Sequence, residues 1–195
     1  MKLRTRINQL VALALPMALA VALASTEAEA RPASKGIYTE AGLGAAAFVG
    51  KKHRYSQIGP AFDLRAGYDL FSWFSIGLHL GSSSHEALVP PPPQGEIYQL
   101  YTAHAEGRLG FLWHNVGLFV NGGAGFTMIS TNVLEKVNVL DPGEKYTFSM
   151  TAGGGIEYQL VNRHHAIGIA GRWTALPQFA QMTFITAGAY FRYTY

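Results

Sequence analysis

The ionisable residues of this chain are few and regularly placed, and their placement limits what they can do. Glu40, Asp63, Arg65, Glu106, Arg108, Glu157, Arg172 and Arg192 each fall on the polar side of a segment in which polar and apolar residues alternate. Carboxylates and guanidiniums gathered on one surface can neutralise one another, which offsets the cost of taking them out of water. The same set could instead relay protons or ions. Arg65 with Asp63 or Glu106, and Arg172 or Arg192 with Glu157 or Glu40, are the expected pairs. A second set, His53 with Ser82, Ser83, Ser84, His85 and Glu86, has the residue types for a histidine that activates a serine hydroxyl. The neighbours His164 and His165 point apart on an extended chain, so they make no metal site without a third ligand. No metal or other cofactor is expected. The chain has no cysteine, which excludes a thiol nucleophile and a disulfide framework.

Strands must carry these residues. A two-residue period recurs eight times, over 37–49, 60–71, 74–83, 97–112, 116–129, 146–160, 166–175 and 183–195. The third segment is representative: Phe74, Ile76, Leu78 and Leu80 alternate with Ser75, Gly77, His79 and Gly81. Connections after the second, fourth and sixth segments are short (72–73, 113–115, 161–165). Those after the first, third and fifth are long and polar (50–59, 84–96, 130–145), and the last is of middle length (176–182). Short turns at one end and long loops at the other are the asymmetry of barrels that cross a bilayer. An even strand count then leaves both termini on the short-turn, periplasmic side.

The N-terminus carries an export signal. Lys2, Arg4 and Arg6 precede an apolar run from Leu10 to Ala24, and Ala28-Glu29-Ala30 supplies small residues at a cleavage site. Residues 1–30 are expected to be a cleaved signal peptide and 31–195 the barrel. The apolar run is shorter than the roughly 20 residues of a spanning helix. Composition agrees with a membrane strand protein. Charged residues make up 14% of the chain, against about 25% in a soluble domain. A net charge of +3 gives no general nucleic-acid-binding surface.

Alternation does not say which face is outside; the identity of the two faces does. The polar face carries the charges and many glycines, which suits a narrow interior filled by side chains. The apolar face would then meet hydrocarbon, where closure lets a sheet pair all its backbone groups. Aromatics cluster near segment ends. Trp73, Phe74, Trp113, Phe111, Tyr158, Tyr193 and Tyr195 are expected at the periplasmic rim, and Tyr101, Phe126, Phe148, Trp173 and Phe184 at the outer rim, as interfacial girdles.

The last segment carries the motif polar, x, Gly, x, x, aromatic, x, aromatic, on Thr186, Gly188, Phe191 and Tyr193. It resembles the C-terminal signal read by the outer-membrane assembly machinery, although two residues follow the second aromatic and the chain ends in Tyr195. With the export signal and eight segments, the chain resembles the small OmpA-, OmpX- and OmpW-like barrels over its whole length after residue 30. A further likeness to gliding-motility envelope barrels of myxobacteria rests on no motif residue. The resemblance implies an all-β, eight-stranded antiparallel transmembrane barrel in the cell outer membrane, handled by the assembly machinery and surrounded by lipid and lipopolysaccharide.

Functional expectations follow. Lys51, Lys52 and Arg54 in the first outer loop could pair with lipopolysaccharide phosphates. Pro90–Pro93 in the second favours a stiff polyproline II rod. Loops 84–96 and 130–145 are where protein partners of the envelope would bind. Barrels of this class include enzymes that modify lipid A, and the His53 and Ser82–Glu86 set is the nearest approach to the acyltransferase type. The deacylase type needs a His and a Ser two residues apart on a lipid-facing strand, and no lipid-facing position offers that. The expected role is a non-enzymatic structural or interaction component of the envelope, of a surface or motility complex. A rim-located lipid A-modifying enzyme is the alternative, and a narrow transport path a weaker one.

Overall fold

The computed structural model describes residues 36–88, 95–131, 145–160, 164–179 and 181–195. The expected signal peptide, the Pro90–Pro93 run and most of loop 130–145 lie outside them. Eight strands form: β1 (Ile37–Val49), β2 (Gly59–Phe71), β3 (Phe74–Glu86), β4 (Ile97–Trp113), β5 (Val116–Ile129), β6 (Tyr146–Gln159), β7 (His165–Leu176) and β8 (Met182–Thr194). Each pairs antiparallel with its chain neighbours, and β1 pairs with β8 from Tyr38↔Thr194 to Val49↔Thr183, which closes the sheet. Closure removes the two edges an open sheet would present, so the ladders satisfy the backbone without water.

The apolar alternation faces outward. Leu43 is 70% exposed, Leu78 65% and Ile169 62%, whereas Glu40 and Arg192 are buried. A core-forming sheet would bury the leucines and expose the charges. This barrel does the reverse, as a surface solvated by hydrocarbon requires. No described helix is long and apolar enough to cross a membrane.

The short turns at 72–73 and 114–115 lie where expected, most of the third lies outside the described residues, and His114 adopts a left-handed φ of 56° in the tight turn between β4 and β5. The outer ends differ from the sequence reading in three ways. β3 continues to Glu86, so Ser84, His85 and Glu86 belong to a strand and not to a loop. The first outer loop forms a 3-10 helix, Gly50–Tyr55, and then bridges Ser56 to Ala87. Backbone bonds from Gln57 N–H to the Glu86 carbonyl and from Leu88 N–H to the Tyr55 carbonyl lash that loop to the β3 extension. Phe184, expected in the outer aromatic girdle, instead points inward and packs on Phe48 with ring centroids 6.0 Å apart. Together with Tyr98, Leu100, Phe179 and Met182 these two rings make an apolar cap across the outer mouth. Alternation misses this cap because loop residues such as Phe179 complete it.

Glycines matter where rings cross the narrow interior. A Cβ on Gly67 or Gly77 would come within 2.6 and 2.7 Å of the Tyr38 hydroxyl, so these bare positions make room for the phenol to lie across the floor of the lumen.

Candidate functional site

Period-two alternation puts one charged side chain from most strands into the lumen, and register decides which of them meet. Glu40 on β1 stands directly opposite Arg65 on β2 and Arg192 on β8. Its carboxylate receives Arg65 Nη1 at 2.9 Å, Arg192 Nη1 at 2.9 Å and, from across the barrel, Arg108 Nη1 at 2.7 Å. Arg108 Nη2 also donates to Glu157 at 2.6 Å, and the Tyr190 hydroxyl donates to the same Glu157 oxygen at 3.0 Å. Arg192 Nη2 reaches both oxygens of Asp69 at 2.7 Å. Two guanidiniums rest on rings: Arg108 lies 3.6 Å from the Phe119 centroid and Arg192 3.9 Å from that of Tyr38. A ring face gives partial compensation where a buried cation has no water.

A second layer lies toward the outer side. Arg172 Nη1 is 3.2 Å from Asp63 and its Nε 3.4 Å from Glu106. Arg65 Nε is 3.5 Å from Glu106, and Asn121 donates to Glu106 at 3.2 Å. His79 and His104 face each other across β3 and β4, with their Nδ1 atoms 3.4 Å apart. His79 Nε2 is 2.6 Å from Asp63, and His104 Nε2 is 2.7 Å from the Ser149 hydroxyl.

All eight charges singled out in the sequence therefore face the lumen. Of the expected pairs, Arg65 with Glu106 and Arg192 with Glu40 come together. Arg172 does not reach Glu157 or Glu40; it pairs with Asp63 and Glu106, while Glu157 goes to Arg108. Sequence reasoning left out Asp69, His79 and His104 as partners, although each sits on the polar face of its segment, which was the available signal. It had no signal for the pairing of Arg108, because that contact spans the barrel and not a ladder.

The space between these side chains is small. Lumen cavities of about 20, 30 and 10 Å³ lie among them, and a cavity of that size holds about one water molecule or a pair.

The remaining candidates lie nearer the rims. His85 Nε2 is 3.0 Å from the Ser83 hydroxyl and its Nδ1 3.0 Å from the Gln57 carbonyl. Both side chains are buried beneath the apolar cap, on the lumen side of β3. His53 does not join them; it is exposed and bonds the Gly50 carbonyl at 2.7 Å. Lys51, Lys52 and Arg54 lie in the 3-10 helix, with Arg54 exposed. Thr186, Gly188, Phe191 and Tyr193 lie on β8. His164 bonds the Thr194 carbonyl at 2.8 Å and His165 packs on Tyr193.

No protein family matches the chain in sequence, nor does any curated protein. Solved structures match in fold. Neisserial surface protein A aligns with a TM-score of 0.62 at 14% identity, over 82% of this chain and 97% of that one. OprG of Pseudomonas aeruginosa, an outer membrane protein, aligns with 0.57 at 11% identity, over 86% and 99%. The outer membrane enzyme PagL aligns with 0.50 at 12% identity, over 81% and 99%. The chain thus has the fold of small eight-stranded outer-membrane barrels. None of these likenesses supports the motility resemblance.

Proposed function

We propose that this protein is an integral outer-membrane barrel whose interior is shut, and that it serves the envelope as a structural or interaction component through its outer surface. The observation that carries this reading is the Glu40 carboxylate, clamped by three guanidiniums across a lumen in which, among the described residues, cavities of about 20, 30 and 10 Å³ lie between the charged side chains. An interior closed by ion pairs and capped by aromatic side chains passes no solute, so the faces left for function are the lipid-facing wall and the outer loops. Lys51, Lys52 and Arg54 offer cations to lipopolysaccharide phosphates, and the connections that follow β3 and β5 offer protein contacts. Gly36 and Tyr195 lie near the Asp69 end of β2, beside a short turn, and in this reading that side is periplasmic. Planar bilayers containing the purified protein should show no discrete conductance steps. Stepwise single-channel currents would replace this reading with the transport one.

One observation favours a second reading, a lipid A-modifying enzyme. The Gln57 carbonyl accepts a hydrogen bond from His85 Nδ1–H, which leaves Nε2 as the acceptor toward the Ser83 hydroxyl, the orientation of a general base beside its nucleophile. Against it stands the space beside Ser83, about 10 Å³, which fits a water and not an acyl chain. The expected result is an unchanged lipid A mass spectrum when cells expressing Ser83→Ala are compared with wild type. A species present only with the wild-type protein would establish the enzyme.

A further inference from the structure

We propose that the outer layer of the lumen is a binding site for one divalent transition-metal ion, ligated by His79, His104 and Glu106. The expectation of no metal, drawn from the chain alone, weighed only the adjacent pair His164-His165. The barrel brings together three other residues that lie 25 and 2 positions apart.

Geometry carries the inference. One ligand atom from each residue lies within 4.8 Å of the other two. The facing Nδ1 atoms of His79 and His104 are 3.4 Å apart. That is long for a hydrogen bond from N–H, which is commonly about 2.7–3.2 Å. It equals the separation of two imidazole nitrogens on one tetrahedral ion: bonds of about 2.0–2.1 Å at the tetrahedral angle put them roughly 3.3–3.4 Å apart. Glu106 Oε1 lies 3.7 Å from His79 Nδ1. That oxygen is buried and accepts no hydrogen bond.

The surroundings are those of a metal site. His79 Nε2 faces the Asp63 carboxylate at 2.6 Å and His104 Nε2 faces the Ser149 hydroxyl at 2.7 Å. Metal-bound histidines characteristically hand their second ring N–H to such partners, which turns the other nitrogen's lone pair to the ion. Arg172 Nη1, which can only donate, also lies 2.6 Å from His79 Nε2; once it withdraws, both rings can carry their proton on Nε2, and the two Nδ1 lone pairs then face each other until a cation stands between them. The interior also has room for the charge. Glu40, Asp63, Asp69, Glu106 and Glu157 outnumber Arg65, Arg108, Arg172 and Arg192 by one among the described lumen residues. Arg172 is the competitor, with Nη1 2.6 Å from His79 Nε2 and 3.3 Å from its Nδ1. It can withdraw to Asp63, which the same Nη1 already approaches at 3.2 Å. No hydrogen bond from Nε or Nη2 is lost in doing so, because neither makes one. Two imidazoles and a carboxylate suit zinc, nickel or cobalt(II) better than calcium or magnesium, which prefer oxygen alone.

The test refolds the full barrel from urea into detergent with cobalt(II) or zinc, then removes unbound ion on a chelating column. Wild type should retain about one ion per chain, and the cobalt form should show the visible bands of a four-coordinate site. His104→Asn and Glu106→Gln should retain none, while Asp63→Asn, which alters the outer partner of His79 and the carboxylate to which Arg172 withdraws, should bind about 10- to 100-fold more weakly. Arg172→Gln should bind more tightly, an effect opposite to that of a merely structural change. A double variant, His164→Asn with His165→Asn, should bind as wild type does. Heat-modified electrophoretic mobility checks that each variant has folded. Should the lumen variants fail that check, wild type decides alone: histidine NMR signals from His79 and His104 must shift on adding zinc. Wild type that retains no ion, or folded His104→Asn that retains as much, overturns the proposal.

Discussion

Glu40→Leu should lower the unfolding free energy of the barrel by about 3–5 kcal/mol, the usual cost of stripping one partner from a buried ion pair. Three guanidiniums converge on this carboxylate, at 2.9, 2.7 and 2.9 Å. Removing it leaves Arg65, Arg108 and Arg192 facing one another in a space too small to admit a hydration shell. Arg108 and Arg192 keep Glu157 and Asp69, and Arg65 keeps Glu106 at 3.5 Å, which is why the barrel should weaken without being abolished. Urea titration of protein refolded into lipid vesicles, followed by tryptophan fluorescence, measures the effect. Adding Arg108→Met to Glu40→Leu should recover part of the loss, since the second change removes a cation the first left in excess. A Glu40→Leu variant as stable as wild type would mean that water fills the lumen and solvates the arginines.

Leu78→Arg tests the opposite face, and here the expected loss is about 2–4 kcal/mol in a bilayer. Leu78 lies five residues beyond Trp73, whose exposed ring sits at the short-turn rim. At roughly 3.3 Å per residue and a tilt of about 40°, that places it about 13 Å up a band some 25 Å tall, near the midplane. Its neighbours across the two ladders are Ala66 and Ala105, so no polar group beside it can receive the guanidinium. The comparison arm is Tyr146→Arg, at the outer start of β6, where the side chain can reach the interface and the cost should fall to between about 0 and 1 kcal/mol. Equal effects at both depths would mean that this wall does not face hydrocarbon.

How far a reader can go from residues alone depends on which contacts are local. Strand positions follow from alternation, a property of neighbours in the chain. The largest boundary difference was at β3, where Ser84, His85 and Glu86 look like loop because no large apolar residue marks their outward side. Within the lumen, pairs on adjacent ladders were within reach of reasoning: Arg192 beside Glu40 is a register neighbour. Pairs across the barrel were not. Arg108 with Glu40, and Arg172 with Asp63, depend on barrel diameter, strand tilt and the shear of the closed sheet. The inward turn of Phe184 and the Ser83–His85 contact under the cap share that dependence, and so does the convergence of His79, His104 and Glu106.

The amino-acid sequence by itself determined that this is an eight-stranded barrel with a lipid-facing and a charged side, because alternation, turn residues and the two-faced composition of each segment are written in consecutive residues. Tertiary structure alone decided which charges neutralise which, that Phe48, Tyr98, Phe179 and Phe184 gather in one buried cluster, and that two histidines meet a carboxylate. Those outcomes depend on distances across a closed cylinder. The closure brings together side chains from strands as far apart in sequence as β1 and β8, and no local pattern in the chain encodes their separation.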